Sequence, residues 1–207
     1  MLGLLMLLRF FTANKRMEKG WSRVTSVLSA LNSSWLEFWW RKNGFEACDK
    51  IRDDSTAFGK KVHSYIEDYV RDGKVPPAGR EGTCALAVIK WLSDNKVKPL
   101  HLEVELKDSK LRLVGHADLL CEIDGEQIVL DYKTSKKVSK DYALQLSAYA
   151  HMANKQLGTK IDKGIILRAD KDPEKEVQLE VVEYTDMKKY WKIFLAGLQY
   201  YKFIQGK

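Results

Sequence analysis

Three residues of this 207-residue chain have the types and spacing for shared chemistry: Asp118, Asp131 and Lys133. Two carboxylates brought together repel when both are ionised, so one keeps its proton unless a cation neutralises the pair. Mg2+ and Mn2+, hard ions that favour carboxylate oxygen, meet that need. Such ions lower the pKa of bound water and brace the attacking and leaving oxygens of a phosphate during in-line displacement. A lysine beside them would orient the attacking water or stabilise charge developing on the phosphate. A lone Asp-x-Lys at a strand end is more often a solvated ion pair, so its surroundings decide the matter.

The elements around these residues support their meeting. Leu111-Arg112-Leu113-Val114 leads into Gly115-His116-Ala117-Asp118, and Gln127-Ile128-Val129-Leu130 leads into Asp131-Tyr132-Lys133. Asp124-Gly125 between two apolar runs predicts a tight hairpin, which sets Asp118 opposite the Asp131 end. Strand alternation puts Asp131 and Lys133 on one face and Tyr132 on the other. The pattern predicts strands over 99–107, 111–122, 127–133, 164–168 and 176–184, with helices over 142–156 and 187–204. Upstream it predicts helices over 25–31, 34–42, 45–53, 58–71 and 81–95, interrupted at Asp72-Gly73-Lys74-Val75-Pro76-Pro77. The fold class expected is α/β (α+β), with an α-β-β-β-α-β order and no repeats.

On one helical face, His63, Ile66, Glu67 and Val70 stand three or four residues apart. A lone His there is usually packed or hydrogen-bonded. Glu67 either fixes the tautomer of His63 or pairs with Arg71. Gln145 and Tyr149 are also one helical turn apart, as an ordinary polar helix edge would be. His101, His116 and His151 show no pattern.

Taken in order, these pieces resemble a known family. Asp118, then Leu130-Asp131-Tyr132-Lys133-Thr134-Ser135, then Gln145-Leu146-Ser147-Ala148-Tyr149 resemble the PD-(D/E)XK nuclease superfamily. More narrowly, they are similar to its RecB-type branch, with G-x-x-D, D-x-K-T and Q-x-x-x-Y elements. Gly59 to Glu67 is similar to that branch's G-x-x-x-H-x-x-x-E helix. Val24-Thr25-Ser26-Val27-Leu28, with Trp39-Trp40-Arg41 and Gly44, resembles the start of phage and mitochondrial genome-maintenance exonucleases. The resemblance spans about Trp21 to Val182.

The resemblance implies a restriction-endonuclease-like core, a central mixed β-sheet flanked by helices. Residues 1–95 would form a helical N-terminal region packed on that core and carrying the His63 helix. Residues 96–207 would form the nuclease core, the whole being a single compact domain. The implied activity is metal-dependent hydrolysis of DNA, as an exonuclease on single strands or DNA ends, in viral settings or in DNA repair, recombination or replication. The alternatives are a single-strand or structure-specific endonuclease of the same superfamily and a non-catalytic nucleic-acid-binding protein. By position, Asp118 and Asp131 would bind Mg2+ or Mn2+ together with the main-chain carbonyl of Tyr132, and Lys133 would be the catalytic lysine. His63 would add a ligand, and Gln145 and Tyr149 would support the site or touch DNA. An extra glutamate falls on Glu103 or Glu105, which alternation places on one face. Glu103 fits the family spacing to Gly115 better. His116-Ala117-Asp118 replaces the family's leading Pro-Asp.

Composition agrees. With 45% hydrophobic residues the chain can build a core, and its net charge of +7 favours a polyanion. Lys136, Lys137 and Lys140 follow the Asp131–Lys133 strand, where a phosphate backbone would meet them or where they simply solvate a loop. Trp21, Trp35, Trp39 and Trp40 mix with Arg23, Arg41 and Lys42, as base-stacking residues do, although Trp35, Leu36 and Trp39 also follow core helical spacing. Cys48, Cys84 and Cys121 are odd in number and scattered, so no iron–sulfur cluster, zinc ribbon or disulfide framework is expected. No P-loop occurs, so no bound nucleotide is expected and any helicase or recombination partner would be a separate protein. Met1–Leu8 is apolar but too short to span a bilayer, and no membrane partner is expected. A reducing interior, cytoplasmic or within a host cell, is the expected location. An organelle matrix follows if the acid-free stretch before Glu18 is a presequence. Met17 is an alternative start.

Overall fold

A two-residue turn fixes the register of the central sheet. Asp124 and Gly125 take φ of 50° and 85°, the left-handed pair that a type I′ hairpin requires. The strands on either side pair from Ile123↔Glu126 inward. The computed structural model describes residues 20–31, 38, 41–172 and 174–206. The apolar Met1–Leu8 stretch, Met17, most of the helix expected over 34–42, and Trp35, Trp39 and Trp40 lie outside those residues.

The described elements run β1 (Ser22–Arg23), α1 (Val24–Leu31), α2 (Phe45–Asp72), α3 (Arg80–Asp94), β2 (Lys98–Asp108), β3 (Leu113–Ile123), β4 (Glu126–Lys133), α4 (Asp141–Leu157), β5 (Lys163–Ala169), β6 (Leu179–Thr185) and α5 (Met187–Ile204). Every strand expected from the pattern is present within three residues at each end. Two features differ from the pattern. The helices expected over 45–53 and 58–71 are one continuous α2, because the polar run Asp53-Asp54-Ser55-Thr56 contains neither Gly nor Pro to stop it. Ser22–Arg23 forms a strand too short for alternation to reveal.

The sheet runs β2-β3-β4-β5-β6 and is mixed, with β4 and β5 parallel and the other three pairs in this run antiparallel. β1 joins parallel to the start of β3, at Ser22↔Leu113 and Arg23↔Val114. Since β2 occupies one edge of β3 along its length, β1 shares the other edge with β4. One face of the sheet buries Val129, Leu120 and Ile166 against α1, α4 and α5. The other buries Leu119, Leu130, Ile165 and Leu167 against α2 and α3. This is an α/β fold with a central mixed sheet flanked by helices and a mainly helical N-terminal region. Among the described residues no helix is long and apolar enough to cross a membrane.

Candidate active site

The ladder between β3 and β4 stops at Leu119↔Leu130. Asp118 and Asp131 are the next residues on the two strands, so both acids stand where the strands part. The Tyr132 amide is free of the ladder to β3 there and donates instead to Asp118 Oδ2 at 2.8 Å. Asp131 is 1% exposed and Asp118 9%. Lys133 ion-pairs with Asp131, and its Nζ sits 5.1 Å from the centre of the Tyr142 ring.

On the other edge of β3 both strands change face at the same level. Val104 and Leu106 of β2 pack on the α1/α4/α5 side, whereas Leu102 packs on the α2/α3 side. Ala117 and Leu119 of β3 divide in the same way. The residues at the switch are Glu103, flanked by the pairs Leu102↔Leu119 and Val104↔Ala117, and Asp118 opposite it. Glu103 takes φ of 47°, a strained value for a non-glycine residue in a strand. The alternation that would keep Glu103 and Glu105 on one face is therefore broken. Glu105 turns to Lys107 at 2.7 Å and His116 at 3.4 Å.

His63 reaches the same point from α2. Its Nε2 lies 2.9 Å from the Tyr132 carbonyl oxygen, and its Nδ1 lies 3.4 Å from Asp118 Oδ2. The Tyr132 ring meets the imidazole edge-on. Thus Tyr132, rather than Glu67, orients His63, and Glu67 pairs with Arg71. His63, Glu103 and Asp118 offer ligand atoms that all lie within 4.8 Å of one another.

Electrostatics follow from this crowding. Burial and the charge of Asp118 push Asp131 up to about 6, against the pull of Lys133. Glu103 has an exposed surface yet is crowded by the acids; partial burial first and Asp118 second push it up to about 7. Burial disfavours a charged His63, but Asp118 and Asp131 outweigh it and raise the ring to about 9. Asp118 is held below the usual carboxylate range, because the charge and hydrogen bond of His63, with Lys133, overcome burial. Burial likewise works against Lys133, while Asp131 and Asp118 raise it. These carboxylates hold protons or borrow cations because like charges crowd a buried site. One imidazole and several hard oxygens at this spacing fit a divalent cation of the Mg2+ or Mn2+ class.

A cleft of about 730 Å³ opens onto Asp118, Asp131 and Lys133, walled by Gln145 and Tyr149 of α4 and by Trp21, Arg23, Lys107 and His116. Gln145 Nε2 donates to Tyr149 Oη at 2.9 Å. A second hollow of about 390 Å³ lies behind, where His63, Glu67 and Glu103 face Lys60 and Ser64. Lys136, Lys137 and Lys140 are exposed on the β4–α4 loop, outside the cleft lining.

The sequence profile of the PD-(D/E)XK nuclease superfamily matches residues 82–199, more than half of the chain. The chain belongs to the PD-(D/E)XK nuclease superfamily. The match to this nuclease superfamily takes in Gly115, Asp118, Asp131, Lys133, Gln145 and Tyr149, and begins beyond the α2 helix that carries His63. Among solved structures, the chain is similar to a protein assigned as an exonuclease from Eubacterium rectale, at 16% identity and a TM-score of 0.45. That likeness covers 70% of this chain but only 63% of the other protein's length. It is also similar to an alkaline exonuclease from Laribacter hongkongensis, at 12% identity and a TM-score of 0.34, covering 58% of this chain and 67% of that one. No curated protein matches the chain.

Residues beside the acids escaped the sequence pattern, among them His116 in the cleft lining and Tyr142 under the Lys133 ammonium group. His116 stands two residues before Asp118 on the same strand, and that spacing was its signal. Tyr142 precedes Gln145 and Tyr149 by three and seven residues, so helical spacing already placed it on their face.

Proposed function

We propose that this nuclease-superfamily member is a DNA phosphodiesterase of the RecB-type branch that requires Mg2+ or Mn2+ and acts as an exonuclease on single strands or free ends. The observation that carries the reading is the parting of β3 and β4. It delivers Asp118, Asp131 and Lys133 to one cleft, where His63 arrives from the opposite helical layer. Asp118, Asp131, Glu103 and His63 would hold the ion. The Tyr132 carbonyl has two lone pairs, one for His63 and one for the cation. A bound ion would supply a water of low pKa and neutralise the phosphate.

The chain's own residues do the rest. Lys133, fixed between Asp131 and the Tyr142 ring, presents an ammonium group to the attacking water or to charge growing on the phosphate. Gln145 and Tyr149 wall the cleft and hold the strand against the acids. Trp21 offers a face for a base and Arg23 a charge for a phosphate. Residues 1–95 thus contribute His63 and one cleft wall, and residues 96–207 contribute the remaining groups. The order of the G-x-x-D, D-x-K-T and Q-x-x-x-Y elements supports the exonuclease preference.

A time course on end-labelled linear and circular single-stranded DNA, in Mg2+, Mn2+ or chelator, tests this reading. Linear DNA should be degraded with either metal, the circle should survive, and chelator should stop the reaction. Cutting of the circle would make the protein an endonuclease. No cleavage with either metal would make it a binding protein.

A further inference from the structure

Lys171, just beyond β5, reaches across to α2 and donates to Ser55 Oγ at 2.7 Å. The β4–α4 loop is anchored beside it. Arg168 Nη1 donates to the carbonyls of Ser135 at 2.9 Å and Lys136 at 3.4 Å. Thr134 Oγ1 lies against α2, where a β-carbon on Gly59 would stand 3.4 Å away. Three separate chain segments therefore bring Lys136 and Lys171 into one neighbourhood.

Among the described residues neither lysine has a carboxylate partner, whereas Lys61, Lys90, Lys98 and Lys155 each do. The nearby Asp170 is engaged by Arg168 at 3.5 Å and by the Asp172 amide at 3.1 Å. Burial, and then the charge of Lys136, lower the pKa of Lys171. Two lysines on adjoining segments, neither ion-paired to a carboxylate among the described residues, are a poor arrangement for a bare surface and a good one around an anion. Ser55 adds a hydroxyl. Ser55 precedes His63 by eight residues on α2, about 12 Å along the helix, a distance that a strand covers in a few nucleotides.

We infer that Lys136, Lys171 and Ser55 form a subsite for a backbone phosphate of the nucleic-acid strand, a few nucleotides from the phosphate that meets Asp118 and Lys133. The inference rests on the nuclease reading and deepens it, since it adds a second grip on the same strand.

Fluorescence anisotropy with a labelled 12-residue oligothymidylate, in EDTA and over a salt series, separates binding from cleavage. The Lys136→Gln/Lys171→Gln variant should bind several-fold more weakly. Its plot of log affinity against log salt should be shallower by about 0.7, the value for one lost single-strand phosphate contact. Hydrolysis of a dinucleotide, too short to reach the subsite, should be unchanged. Lys90→Gln, whose exposed lysine already pairs with Asp94 on α3, should leave the slope unmoved. Equal slopes and affinities for wild type and the double variant would overturn the subsite, as would an equal effect of Lys90→Gln. Wild type that binds no strand in EDTA would overturn the subsite, while cleavage with metal decides the nuclease reading separately. Binding with the expected slope change but no cleavage with metal would sustain the subsite and defeat only the nuclease reading.

Discussion

The ring of Tyr149 lies directly over Gly115. A β-carbon on Gly115 would stand 2.5 Å from Tyr149 Cε1 and 3.1 Å from Val24 Cγ2. The glycine of G-x-x-D and the tyrosine of Q-x-x-x-Y are thus two sides of one contact, which seats α4 on β3 beside the acids.

Gly115→Ala forces that ring or the helix away. The expected cost is about 1–3 kcal/mol from overpacking, with a loss of cleavage from the shift of Gln145. Tyr149→Phe keeps the ring and removes only the hydrogen bond to Gln145, at a cost of about 1 kcal/mol. Thermal melts of both variants check this ordering, and a Gly115→Ala protein as stable as wild type would refute the contact.

Glu103 separates backbone from chemistry. Its φ of 47° suits glycine, so Glu103→Gly should be more stable than Glu103→Ala by about 1 kcal/mol. Both variants lose the carboxylate and should bind Mn2+ more weakly to the same degree. Denaturant melts and metal titrations of the pair provide the readouts. A more stable alanine variant would remove the strain, and unchanged Mn2+ affinity would remove Glu103 from the ligand set.

Metal affinity should rise with pH. Without metal, His63 is pushed up to about 9, Glu103 to about 7 and Asp131 to about 6, so protons occupy the positions a cation needs. Raising the pH from 6 towards 9 removes these protons in turn. Affinity then improves by roughly tenfold per pH unit for each proton displaced. Calorimetric Mn2+ titrations at pH 6 and 8.5, in buffers of different ionisation enthalpy, measure both affinity and proton release. Equal affinities with no proton release would contradict the crowding of these groups.

The sequence made the frame of the site legible because its signals are local. Asp124-Gly125 announced the hairpin, alternation placed Asp131 with Lys133, and helical spacing joined Gln145 to Tyr149. Other features depend on contacts distant in sequence. No local pattern shows that the β3–β4 ladder ends one residue before the acids, or that β2 and β3 switch faces together at Glu103 and Asp118. Alternation therefore set Glu103 and Glu105 on one face, where the structure separates them. The partner of His63 was also hidden, because the Tyr132 carbonyl lies 69 residues away and main-chain groups carry no sequence signature. Lys171 and Ser55 are 116 residues apart, so their meeting was equally invisible.

The most direct test is the metal-dependent cleavage rate of purified Lys133→Ala on end-labelled single-stranded DNA, with a thermal melt of the same sample. Removing the ammonium group leaves Asp131 buried without its partner, which lowers stability by about 3–5 kcal/mol at most, and the protein should still fold. Cleavage under Mg2+ or Mn2+ should fall by about 10²–10³ or more, the scale for losing one group that stabilises developing charge. A folded Lys133→Ala protein that cuts as fast as wild type would contradict the assignment of this lysine and the account built on it.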